Sequence, residues 1–242
     1  MKHQLPLLEG ERSRPKPTVD ALNRLWQEVS SRPLYARPHF WRYLRLRWKM
    51  RLRPLKASEC SVVVPKWKVN DCTSCTDICC TGPHSTVTLG FHDIATLMDV
   101  GRAELISSHK PQFDREVVKN RPALKRHLAS TSWRQFPVLK QTSMGSCAAL
   151  SLDGKCTLYP DWPLSCARFP YSLNLDEKKI FYSRRCDSFW IRHDRHQAVK
   201  GMALSAVVSY NEKIKDIVLL EYAPKQLREL GLLEHLSSPE AE

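Results

Sequence analysis

Eight cysteines in two groups constrain this chain more than any other feature of its sequence. Cys72, Cys75, Cys79 and Cys80 read C-x2-C-x3-C-C, and Cys147, Cys156, Cys166 and Cys186 follow along a stretch rich in aromatic residues and proline. Four thiolates complete one tetrahedral zinc site or hold one iron–sulfur cluster, so eight suffice for two sites or one larger one. Thiolate is a soft ligand, which selects zinc, copper(I) or iron–sulfur over magnesium or calcium. Cys79 and Cys80 are adjacent, and neighbouring side chains diverge in extended chain and stand about 100° apart on a helix. The pair is therefore expected to serve two different metals, or to divide into one ligand and one packed or reactive thiol. Cys60 lies in a less patterned segment and is expected to stand outside the set.

Paired cysteines also build disulfide frameworks, and the compartment separates the two uses. The first ten residues, Met1 to Gly10, hold no apolar run of signal-peptide length. The longest apolar windows, around Ala203–Val208 and Ile217–Leu220, are too short and too interrupted to span a bilayer. A chain of 242 residues can bury a core without covalent staples. These features predict a cytoplasmic protein whose cysteines bind metal.

The cysteine segments resemble the CxxCxxCC (YkgJ-type) cysteine-cluster family, whose members are described as zinc- or iron-chelating domains. The resemblance covers about residues 70–190. Its first element matches Cys72-Thr73-Ser74-Cys75-Thr76-Asp77-Ile78-Cys79-Cys80, followed by an extended run at Thr86–Leu89 and a short helix at His92–Met98. Its second, C-x2-Y-x2-R-P-x2-C-R-x-F-P, is similar to Cys156-Thr157-Leu158-Tyr159-Pro160-Asp161-Trp162-Pro163-Leu164-Ser165-Cys166-Ala167-Arg168-Phe169-Pro170. Cys147 and Cys186 stand where the family places its flanking cysteines. Two departures mark this chain. Three residues rather than two precede the Cys79-Cys80 pair, and Trp162 replaces an arginine while Arg168 falls one position late. The resemblance implies metal ligation by all eight cysteines and carries over no role for the replaced arginine. A branch of the family is similar to flagellin lysine N-methylases, although no S-adenosylmethionine pocket is marked here.

Charge is distributed unevenly. Residues 1–71 hold 16 Lys and Arg against 6 Asp and Glu, whereas residues 72–242 hold 22 against 19, so the excess of the formal +13 is N-terminal. It peaks between Arg42 and Arg53, where Arg45, Arg47, Lys49 and Arg51 alternate with apolar residues and Trp41, Tyr43 and Trp48 interleave. Such a stretch suits nucleic acid or an anionic membrane surface. It equally suits a structural arm that packs its apolar side chains and solvates its arginines.

Coarse patterning predicts an α+β fold: a small irregular cysteine-cluster domain with short β-hairpins, flanking helices and a C-terminal helical segment. Residues 1–17 are polar and proline-bearing and are expected to form a disordered tail. Residues 18–69 read as the basic arm with one short helix, capped by Thr18 and carrying Ala21, Leu22, Leu25, Trp26 and Val29 at helical spacing. Residues 70–190 form the cysteine-cluster domain, with a helical pattern from Phe113 to Trp133 interrupted by Pro122. Asp153-Gly154 predicts a hairpin that brings Cys147 and Cys156 close together, and Asn174–Lys179 predicts a second, pairing Tyr171–Leu175 with Ile180–Ser183. Residues 191–236 read as C-terminal helices, from His193 to Tyr222 and again from Pro224.

Enzyme signatures are few. There is no G-x-G-x-x-G, P-loop, G-x-S-x-G or H-E-x-x-H. The order C-x2-C-x3-C reverses that of radical S-adenosylmethionine enzymes. His84, His193 and His196 flank the cysteines as donors or bases, or are simply solvated. Three function classes remain: a metal-binding protein with zinc, iron or an iron–sulfur cluster, an iron–sulfur oxidoreductase or modifying transferase, and a nucleic-acid-binding module on a metal scaffold. Three cysteines in one short loop plus a remote fourth favour iron–sulfur over zinc.

Overall fold

The computed structural model describes residues 16–32, 54–63, 80–81, 86–109, 136–182 and 196–234. The tail before Lys16, the basic run Arg42–Arg53, the Phe113–Trp133 pattern, His84 and His193 lie outside the described residues. So do Cys72, Cys75, Cys79 and Cys186. The fold is α+β.

Pro17 starts α1 (Pro17–Ser31) with the ring-fixed φ that suits a first helical turn. Val19, Leu22, Leu25 and Val29 form its buried stripe, following the helical period. The expected cap at Thr18 is not used. The helix begins two residues earlier than that cap would place it, at Pro17, with Lys16 at the cap position and no side-chain cap of its own. Asp99 at the far end of α2 (Phe91–Asp99) fills the role instead, accepting from the backbone N–H of Thr18 at 3.0 Å and of Val19 at 3.0 Å. An acceptor from another element thus satisfies the first-turn donors that a local side chain usually serves.

Five short strands accompany the helices among the described residues. β1 (Ser61–Val63), β4 (Tyr171–Asn174) and β5 (Lys179–Tyr182) form a sheet of order β1-β5-β4, and β2 (Ile106–His109) pairs with β3 (Phe136–Leu139). The β4–β5 hairpin has the expected position, with Tyr171 opposite Tyr182 and Asn174 opposite Lys179. The Asn174 side chain closes its turn by accepting from the N–H groups of Asp176 and Glu177. β1 lies parallel to β5, with Val63 opposite Phe181. Residues 87–89 extend the second sheet: Thr88 bridges Val138, and the Leu89 N–H donates to the Pro137 carbonyl at 2.9 Å.

The long helix α4 (His196–Tyr222) serves two cores in succession. Ala203, Ala206 and Val207 pack with Leu55, Tyr171 and Ile180 against the three-stranded sheet. One end further on, Ile214, Val218, Leu219 and Tyr222 join α1, α2 and α5 (Pro224–Glu229) in the larger cluster. Tyr210 packs against both clusters. Asn211 clamps the chain ahead of β1 to this helix, its amide bonding both the N–H and the carbonyl of Leu55 at 2.9 Å. No helix among the described residues is long and apolar enough to cross a membrane.

Candidate metal centre

Two tight hairpins deliver two of the second-group cysteines. The first reverses at Gly145, whose φ of +78° is a left-handed conformation that favours glycine, and returns so that Cys147 bridges Gln141. The second reverses at Gly154, φ +77°, and returns so that Cys156 bridges Leu150. The predicted Asp153-Gly154 turn is therefore present, closed by the Ser151 N–H on the Lys155 carbonyl and the Thr157 N–H on the Ala149 carbonyl. Cys147 is buried in the larger core, and Cys156 and Cys80 pack against that same core.

Cys80, the last residue of the first motif, is fixed beside Cys147 by backbone pairing. The Cys147 N–H donates to the Cys80 carbonyl at 2.7 Å. Sixty-six residues separate them in sequence, so this bond joins the two cysteine groups directly. No disulfide joins any two of the five described cysteines.

Cys166 is placed differently. It sits on α3 (Leu164–Ala167), a single turn following Pro163, and is not among the side chains packed with Cys80, Cys147 and Cys156. Three bonds from three directions hold that turn. The Leu164 N–H donates to Asp93 Oδ1 at 2.8 Å, Ser165 Oγ donates to the Thr88 carbonyl at 2.8 Å, and Ser205 Oγ on α4 donates to the Ala167 carbonyl at 3.1 Å. Ahead of it, Tyr159 and Trp162 meet edge to face at 5.2 Å, both part-exposed, and the bonds preceding Pro160 and Pro170 are cis. Trp162 is thus half of an aromatic pair.

Buried acids gather behind α3, and sequence patterning did not single them out. Asp93 accepts from Gly90 N–H at 2.9 Å as well as from Leu164, and is only 5 % exposed. Burial pushes its carboxyl above the usual carboxylate range, against the pull of those two N–H groups and of His92. Gly90 has no side chain to cap α2 in return. Asp216 of α4 stands in that place, accepting from Phe91 N–H at 3.2 Å, and a Cβ on Gly90 would lie 2.6 Å from its Oδ2. Burial, with the nearby charges of Glu212 and Asp93, pushes Asp216 up to about 7 against the Phe91 N–H and Lys215. Its Oδ1 is buried with no hydrogen-bond partner among the described residues. Asp93 carried a legible signal, an acid three residues into a helix behind glycine. Asp216 carried none, because its partner lies 125 residues away.

Cys60 ends a 3-10 turn at Ala57–Glu59, just before β1. Burial pushes its thiol up, Glu59 adds to this and Lys178 opposes it. A raised thiol is a poorer source of thiolate.

The donor chemistry fits a thiolate-bound metal in part. Among the described residues, no group of three or more Cys, His, Asp or Glu side chains could hold a metal ion. Cys80, Cys147, Cys156 and Cys166 therefore require cysteines from outside the described residues to complete any site. Comparison with protein-family models, curated proteins and solved structures finds no match for this chain.

Proposed function

We propose that the chain is a metal-binding cysteine-cluster protein of the kind its sequence resembles. Cys72, Cys75, Cys79, Cys80, Cys147, Cys156, Cys166 and Cys186 would supply the thiolates. The observation that carries this reading is that the described segments on either side of the first cysteine loop pair with segments that lead to or carry cysteines of the second group. β1, which leads into the loop, runs parallel to β5, which leads towards Cys186. Parallel pairing sends both chains out of the same end of the sheet, nine residues before Cys72 and five before Cys186, counted from the paired Val63 and Phe181. At its other end the loop closes on Cys147 through the Cys80 carbonyl. A disulfide framework would meet the same topology, but the soft donor set and the spacing favour ligation.

Bound there, an iron–sulfur cluster would supply one-electron chemistry, and zinc a structural crosslink. The spacing favours the cluster. Anaerobically purified full-length protein, examined by optical absorption and metal analysis, tests the reading. Cys75→Ser and Cys166→Ser are expected to lose metal, and Cys60→Ser to keep it. A metal-free protein, or eight cysteines paired as disulfides by mass spectrometry, overturns it. A colourless protein with stoichiometric zinc would select zinc over iron–sulfur.

A further inference from the structure

We infer that Asp93 is the positioning residue for Cys166, an inference that rests on the metal-binding reading above. α3 is four residues long, far too short to hold its own shape, so the direction of the Cys166 side chain is set by what grips the turn. Two of its three grips are neutral hydroxyl bonds, from Ser165 and Ser205. The third comes from the buried carboxyl of Asp93, which also holds the Gly90 N–H at the start of α2 and so ties the turn to a second element.

Asp93 is itself well fixed. One oxygen is held by Gly90 at the start of α2 and the other by Leu164, two residues before Cys166. Asp216 of α4 holds the next N–H of the same helical turn, at Phe91. A continuous set of bonds therefore runs from α4 through the first turn of α2 to the backbone that carries the thiol. Capping α2 alone would need no burial, since an exposed acid at the same position caps as well. Burial disfavours the ionised carboxyl, and what the buried position adds is the bond to Leu164.

Cobalt(II) titration of metal-free full-length protein under anaerobic conditions tests this, because thiolate-to-cobalt charge transfer reports sulfur ligation directly. Asp93→Asn can serve only one of the two N–H groups and turns an N–H donor against the other. It is expected to weaken Co2+ binding about tenfold, the usual cost of losing a residue that orients a ligand, and to alter the visible bands. Asp99→Asn is the matched control, since Asp99 caps α1 in the same manner without touching a cysteine segment. It is expected to lose stability while keeping the wild-type affinity and spectrum. Leu164→Pro removes the bond from the other side, at the first position of a helical turn where proline fits, and after a residue already extended at φ −57°, ψ 147°. It should reproduce the Asp93→Asn spectrum and decides the matter where Asp93→Asn does not fold. Wild-type affinity and bands in both Asp93→Asn and Leu164→Pro overturn the inference, as does an equal loss in Asp99→Asn. If the wild-type chain itself shows no charge-transfer band, this inference falls, and metal analysis of the protein as purified anaerobically decides whether the metal-binding reading falls with it.

Discussion

Asp216 is a buried acid with one N–H bond to its carboxyl. The charged groups that act on it are Asp93 of α2 and Glu212, Lys213 and Lys215 of α4. Lys215 is committed elsewhere, to Asn23 at 2.9 Å and to Glu212 at 3.1 Å. Asp216 is thus buried with one N–H bond and little compensation, and its carboxyl moves from the usual 3.8 to about 7. The folded state then holds a proton that the unfolded chain has already released. Stability from this group is full below the ordinary value near 3.8 and declines as pH rises towards about 7. At about 1.4 kcal/mol per pH unit, the loss across this window is on the order of 4 kcal/mol, an upper figure because buried groups relax. Asp216→Asn keeps the acceptor for Phe91 and removes the charge. Denaturant unfolding at pH 5 and pH 8 is expected to show the variant gaining about 1–3 kcal/mol on the wild type between the two. Equal pH dependence in both proteins would show that Asp216 titrates as an ordinary carboxyl.

Helix ends recur at the level of elements, each completed by a residue from elsewhere. Asp99 caps α1 across 81 residues, Asp216 caps α2 across 125, and Asp93 joins α2 to α3 across 71. Asp99→Ala is expected to destabilise the fold by about 1 kcal/mol, the ordinary value of an N-cap, read as a shift in urea midpoint without change in slope. An unchanged midpoint would mean that solvent serves the first turn of α1 equally well. These long-range acceptors explain what was legible in the sequence. Local signals placed α1 by its apolar spacing, the hairpins by Asp153-Gly154 and Asn174, and α5 by Pro224, whereas α2 was expected only from the family resemblance. Thr18 is not the cap because the helix starts before it, at Pro17, and its own N–H is one of the first-turn donors that Asp99 of α2 accepts. The parallel β1–β5 pairing was invisible for a related reason: 117 residues separate Ser61 from Lys179, and no local pattern encodes such a partner. For the candidate site, the cysteine spacing was legible at once, whereas Asp216, whose partner lies 125 residues away, was not.

Across the whole molecule, the helical core and the cysteine segments are joined yet separable. Leu22, Ile94, Leu97, Leu219, Leu227 and Leu232 are almost wholly buried, and they come from α1, α2, α4 and the chain at and after α5. Each contributes about 1.5–3 kcal/mol by leaving water, so the six together match the gross value of a structural metal site, on the order of 10 kcal/mol. None of these contacts requires a thiolate. The chain is therefore expected to differ from small zinc domains that unfold when metal is removed. Under the proposed function, chelation should retain most of the helical far-ultraviolet circular dichroism and a cooperative thermal transition, at lower temperature. The same treatment should make the cysteine thiols reactive towards a disulfide reagent, because the loop between β1 and Cys80 and the turn carrying Cys166 lose their common tie. Loss of the helical signal on chelation would mean that the core cannot stand without its crosslink. Retained structure with thiols still protected would place the cysteines in packing rather than in ligation.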